Sequence, residues 1–127
     1  MEDVWVVIFT GDGDKAFVAG GDIKEMYVMN PEKGVAYSQL GNRVLYKIEN
    51  MPQPTIAAVN GYALGGGTEI AMAFDMRIAS DRAIFGQPET GLGIIPGFAG
   101  TQRLSRLVGK GMAKMMIFLS LIHISEP

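Results

Sequence analysis

Two glutamates, Glu69 and Glu89, stand beside glycine-rich segments in a chain of 127 residues with one histidine and no cysteine. The segment Asn60-Gly61-Tyr62-Ala63-Leu64-Gly65-Gly66-Gly67-Thr68-Glu69 reads as a strand, a turn and a helix start with unencumbered backbone. The first N–H groups of a helix have no internal partner, and the macrodipole adds partial positive charge there. Such a place can hold a phosphate, or stabilise an oxyanion that develops only during reaction. Glu69 falls one turn into this helix, and Glu89 follows a strand in the loop Phe85-Gly86-Gln87-Pro88-Glu89. Two carboxylates near an oxyanion site suit acid–base chemistry beside a polarised carbonyl. Charge pattern alone favours a plainer reading, with Glu69 complementing a helix N-terminus and Glu89 solvated in a loop.

Other chemistries find less support. A phosphate-binding P-loop needs Gly-x-x-x-x-Gly-Lys-Ser/Thr, and no stretch supplies it. Gly91-Leu92-Gly93 is followed by Pro96 where a dinucleotide fingerprint needs its third glycine. The Asp12-Gly13-Asp14 turn lacks the later glycine and glutamate of a calcium loop, so no metal is expected. Without cysteine, disulfides and thiolate metal sites are excluded, which fits a reducing cytoplasm. The net charge of -2 gives no footprint for nucleic acid or an acidic membrane. No targeting segment is visible, and the apolar run 115–122 is far too short to span a bilayer, so a soluble protein is expected.

The elements that must position the glutamates follow from periodicity. Val4 to Phe9 is a continuous apolar run, read as a strand buried on both faces with Trp5 in the core. Its neighbours are expected upstream of Met1. Ile23 to Met29 predicts a short helix stopped by Asn30-Pro31. Tyr37, Leu40, Val44, Ile48 and Met51 recur at three- and four-residue steps, predicting an amphipathic helix over 32–50 that Pro52 and Pro54 end. Thr55–Val59, Met76–Ser80 and Ala83–Phe85 read as strands, and Thr68–Phe74 and Thr101–Val108 as helices. Asn60–Gly67 is expected as a turn and Gln87–Gly100 as a long loop. Alternation of strand and helix in one small domain predicts an α/β fold with parallel crossovers. The 17 glycines, nearly twice the usual share, mark tight turns or close backbone approach. The nine methionines read as core gap-fillers.

Three segments, AFVAGGDIKEM, IAAVNGYALGGGTEIAMAFDMRIAS and FGQPETGLGIIPGFAGTQRLSRLVG, strongly resemble the crotonase (enoyl-CoA hydratase/isomerase) family. The resemblance runs in order from Val4 to about Leu119. It implies a spiral of ββα units and enzymes that stabilise the thioester enolate of a coenzyme A substrate. The oxyanion hole would be the N–H groups of Gly21 and Gly66. Glu69 would orient and activate water, and Glu89 would deliver a proton to the α-carbon. Ala19, Gly20, Asp22 and Ile23 match the segment lining the coenzyme A moiety, which is part of the substrate; no separate cofactor is implied. Tyr62 and Phe98 could line the acyl pocket or simply pack, and Gln87 could hold Glu89 or cap a turn. The implied reaction is hydration of a short-chain trans-2-enoyl-CoA, such as crotonyl-CoA, in fatty-acid or butyrate metabolism. The same fold also hosts Δ3,Δ2-enoyl-CoA isomerases, which often lack one or both of the glutamates.

Against the family pattern, the opening β-hairpin and the C-terminal helical region are missing, and with them the contacts that form trimers or hexamers. Residues 1–119 are expected as a partial core domain and 120–127 as a foreign tail, which removes His123 from consideration as a base. A chain so shortened could also be an inert coenzyme A-binding fragment.

Overall fold

The computed structural model describes residues 3–120. Its order is β1 (Val7–Thr10), β2 (Ala16–Val18), α1 (Ile23–Tyr27), α2 (Pro31–Glu49), β3 (Thr55–Val59), β4 (Tyr62–Leu64), α3 (Gly66–Met72), β5 (Met76–Ala79), β6 (Ile84–Gly86), a 3-10 turn (Pro88–Leu92) and α4 (Gly100–Leu119). The odd strands form one sheet in the order β1-β3-β5 and the even strands a second, β2-β4-β6. All four pairings are parallel, as the strand–helix alternation requires. Each turn of the chain thus lays one strand in each sheet and then a helix, which is the ββα spiral expected of a crotonase fold.

Where the sheets meet, side chains are small. Ala57, Val59, Ala63 and Ala71 are buried with Phe17 and Phe74 in one cluster. Phe9 packs edge-on against Phe17, with ring centroids 5.4 Å apart. Met72, Leu104, Ala113 and Met116 form a second cluster under α4. Buried Thr68 stitches α3 to the second sheet: its hydroxyl donates to Ala63 O at 2.5 Å and accepts from Gly86 N at 3.2 Å.

Several expectations are corrected. The 60–67 turn contains β4, and β2 was not foreseen. A three-residue strand shows no alternation to read, so tertiary pairing alone defines both. The first strand starts at Val7 and is not buried on both faces; Ile8 and Phe9 are exposed. Trp5 precedes it and is 85% exposed, so it is no core residue. Of the methionines, Met72 and Met116 are buried. The last helix continues past Val108 to Leu119, across a break at Gly109, whose φ of 79° interrupts the helical backbone. The long loop contains the 3-10 turn that carries Glu89.

Helix α2 departs most informatively. Asn30-Pro31, read only as the stop of the preceding helix, starts this one: Asn30 accepts from Lys33 N at 2.9 Å, and Pro31 occupies the first turn. Its inward face, however, is Gly34, Tyr37, Ser38, Gly41, Asn42, Leu45 and Ile48. Leu40 and Val44 are turned outward and Leu45 is fully buried. The period is helical, but Gly34, Ser38, Gly41 and Asn42 among the inward positions are small or polar, so hydrophobicity misassigned the face.

Candidate active site

A cavity of about 490 Å³ opens between α1, α2, the start of α3 and the loop after β6. Glu69, Glu89, Gly21, Gly66, Ala19, Gly20 and Ile23 all line it. Asp22 does not; its carboxylate accepts from Lys24 N at 2.9 Å and Glu25 N at 3.4 Å and caps α1. Phe98 lines the cavity and Tyr62 does not.

The glycines bring the site together. Gly66 is the first residue of α3, and the first intrahelical bond runs from Glu69 N to Gly65 O at 3.0 Å. The Gly66 N–H therefore precedes the helix's own hydrogen bonding. A Cβ placed on Gly66 would lie 3.8 Å from Gly21 N, so the two backbone segments face one another across the cavity. Gly65 has φ 54° and ψ −118°, a conformation closed to side-chain-bearing residues. A Cβ there would also sit 2.8 Å from Glu89 Oε1. Glycine at 65 thus serves the turn into α3 and the approach of Glu89 together.

Glu69 is 1% exposed. One of its oxygens, Oε1, accepts from Phe98 N at 2.9 Å and Gly100 N at 2.7 Å. Burial pushes its carboxyl up to about 7; those two N–H groups oppose the rise, and the neighbouring Glu89 adds to it. Glu89, 8% exposed, is also raised, by burial. With its amide oriented to suit its neighbours, Gln87 donates to both Glu89 oxygens at 2.9 and 3.0 Å. Gln87 is itself fully buried. Burial disfavours the charged form of both carboxyls, and at Glu69 the neighbouring Glu89 adds to that push.

The sequence did not point to the peptide groups that hold Glu69, because any residue supplies an N–H. Nor did it single out Arg103, which pairs with Glu49 at 2.6 and 3.0 Å and donates to Phe98 O at 2.8 Å, tying α4 to α2. Gly41 has a clearer signal, a glycine inside a long helix. A Cβ there would meet the Phe98 ring at 2.3 Å. Phe98 in turn stacks at a tilt on Tyr37, centroids 5.4 Å apart. Gly41→Ala gains helix propensity of about 1 kcal/mol but overpacks this contact. The clash should win, with a net loss of about 1–2 kcal/mol in thermal unfolding; an unchanged or higher melting temperature would contradict this packing.

Among the described residues, no group of three or more His, Asp or Glu side chains could hold a metal ion. No helix there is long and apolar enough to cross a membrane. Of the expected tail, Ser120 is described, within 3.0 Å of the Thr90 hydroxyl; 121–127, with His123, lie outside the described residues.

The sequence model of the enoyl-CoA hydratase/isomerase family matches residues 1–124. The chain belongs to this family. It is 63% identical over 116 residues to a short-chain-enoyl-CoA hydratase of Clostridium acetobutylicum, covering 91% of this chain and 44% of that one. It is 56% identical to a crotonyl-CoA hydratase of Syntrophomonas wolfei, covering 91% and 44%. The crystal structure of an enoyl-CoA hydratase from Bacillus anthracis superposes with a TM-score of 0.89 at 49% identity, over 94% of this chain and 46% of that one. The chain thus spans less than half the length of the curated relatives it matches.

Proposed function

We propose that this site hydrates a short-chain trans-2-enoyl-CoA, adding water across the α,β double bond. The observation that carries the reading is the pair of buried glutamates lining one cavity with the Gly21 and Gly66 segments. The names of the two relatives above, one of them a crotonyl-CoA hydratase, support the substrate class.

The thioester oxygen accepts the N–H groups of Gly21 and Gly66, which strengthen as negative charge develops on it. Glu69 orients the water and takes its proton while the water oxygen bonds to the β-carbon. The π electrons move onto the thioester as an enolate, and Glu89 delivers a proton to the α-carbon. The cycle needs one ionised and one protonated carboxyl. Addition therefore requires Glu69 ionised and Glu89 protonated. Ala19, Gly20 and Ile23 would contact the coenzyme A moiety, with Asp22 acting through the α1 cap instead. A homo-oligomer of three or six copies accompanies this reading for the whole protein, as does residence in the cytoplasm.

The length relation to the curated relatives supports a second reading, in which the chain alone binds the thioester without turnover. Incubating the chain separately with crotonyl-CoA and 3-butenoyl-CoA distinguishes these. Loss of the conjugated thioester absorbance with formation of 3-hydroxybutyryl-CoA is expected. Conversion of 3-butenoyl-CoA with crotonyl-CoA untouched by water would contradict hydration. Binding with neither conversion would assign the second reading.

A further inference from the structure

Glu69 takes both of its N–H bonds from residues 97–100, a turn with no regular structure of its own until α4 begins. A trans peptide unit holds its C=O and N–H antiparallel, so fixing one end aims the other. Two such units serve Glu69. In the Ala99–Gly100 unit, the carbonyl accepts from Gln102 N and Arg103 N, both at 2.9 Å, so the first turn of α4 aims the Gly100 N–H. That unit needs no side chain. In the Gly97–Phe98 unit, the carbonyl accepts from Ser38 Oγ at 2.5 Å and Asn42 Nδ2 at 3.1 Å. Asn42 Nδ2 also donates to Ser38 O at 2.9 Å, which fixes the amide. Ser38 and Asn42 are the polar positions on the inward face of α2, where a core-facing helix would carry apolar side chains.

We infer that Ser38 and Asn42 are positioning residues for Glu69: by holding the Gly97 carbonyl they aim the Phe98 N–H at the Glu69 carboxyl and fix its orientation. The inference rests on the hydratase reading only for its effect on turnover. The peptide geometry and its effect on the carboxyl stand apart from it.

The Phe98 N–H bond opposes the upward push of burial on Glu69. Glu89, which raises it, and Arg103, which lowers it, are the charged groups that bear on the same carboxyl. Releasing the Gly97 carbonyl lets the peptide turn and weakens the bond, so Glu69 should titrate higher.

The test is a carbon-13 NMR titration of the 127-residue chain labelled at the glutamate carboxyls, with the Glu69 signal assigned by its loss in Glu69→Gln. The double variant Ser38→Ala/Asn42→Leu removes both donors at nearly constant shape. It should move the Glu69 midpoint upward by about one pH unit. Ser38→Thr keeps the hydroxyl and should leave the midpoint in place. A folded double variant that melts earlier but titrates Glu69 as the parent does would reduce the pair to a structural role and overturn the inference. So would a Ser38→Thr shift as large as that of the double variant. If the double variant does not fold, Asn42→Leu alone should give about half the shift, and no shift there overturns the inference equally. In turnover, the double variant should lose roughly tenfold in kcat with KM little changed. Absence of hydration by the parent would count against the hydratase reading, while the titration still decides the positioning role.

Discussion

Replacing Glu69 by glutamine is expected to abolish most hydration and, above neutral pH, to make the protein more stable. The amide can still accept the Phe98 and Gly100 N–H groups through its oxygen. It cannot exchange a proton with water, so kcat should fall by roughly a thousandfold. The stability effect follows from linkage. The folded carboxyl titrates at about 7, above its ordinary 4.5. Between those values the folded protein binds more protons than the unfolded chain, so stability declines as pH rises through that window. At pH 8 the folded protein holds a buried carboxylate that the glutamine variant lacks. The variant should there be more stable by on the order of 1–3 kcal/mol, with the advantage vanishing near pH 4. Urea unfolding at both pH values measures this. A variant less stable than the parent at pH 8 would mean that the Glu69 carboxylate is stabilised by its site.

Gly66→Pro carries the second large effect. Proline is tolerated in the first turn of a helix, where its missing N–H has no helical partner to lose. Gly66 is the first residue of α3 and is not among the positive-φ glycines. The substitution therefore removes the N–H proposed as one oxyanion donor while leaving the helix able to form. Such a loss typically costs 10²–10³ in kcat, about 3–4 kcal/mol of transition-state stabilisation. Gly66→Ala is the control for bulk. It keeps the N–H and places a Cβ 3.3 Å from the Phe98 ring, so its loss should stay within about tenfold. Equal losses in the two variants would show that bulk against Phe98, and not the N–H, is what matters. Circular dichroism checks that α3 is retained.

Much of this site was legible because its parts are local in sequence. Gly65, Gly66 and Glu69 share one turn at the start of α3, and Gln87 and Glu89 share one loop, so short segments sufficed for the family resemblance to single out Gly66, Glu69 and Glu89. Less legible was whatever depends on partners far along the chain. Strands β2 and β4 exist because Ala16 meets Tyr62 and Tyr62 meets Ile84, not because three residues announce a strand. Trp5 looked like core because apolar runs are ordinarily covered, yet it stands 85% exposed. The inward face of α2 was misread because Ser38, Gly41 and Asn42 serve the 97–100 turn, more than fifty residues later. Asp22 shows the converse: a residue matched to coenzyme A contact by resemblance is occupied as a helix cap. Most of the residues that line the cavity were thus readable, but the backbone that holds Glu69 was not.

The proposed hydratase role of this cavity, with Glu69 and Glu89 inside it, can be tested in a whole-length chain. The most direct measurement places residues 4–119 into the Clostridium relative in exchange for its matching segment, so that both ends are supplied by a chain 63% identical over the shared region. Crotonyl-CoA consumption by this chimera, alone and with Glu69→Gln, is then followed by absorbance. Hydration is expected at a rate within about tenfold of the relative, falling by roughly a thousandfold with Glu69→Gln. A folded chimera that leaves crotonyl-CoA unhydrated, or one indifferent to Glu69→Gln, would contradict it.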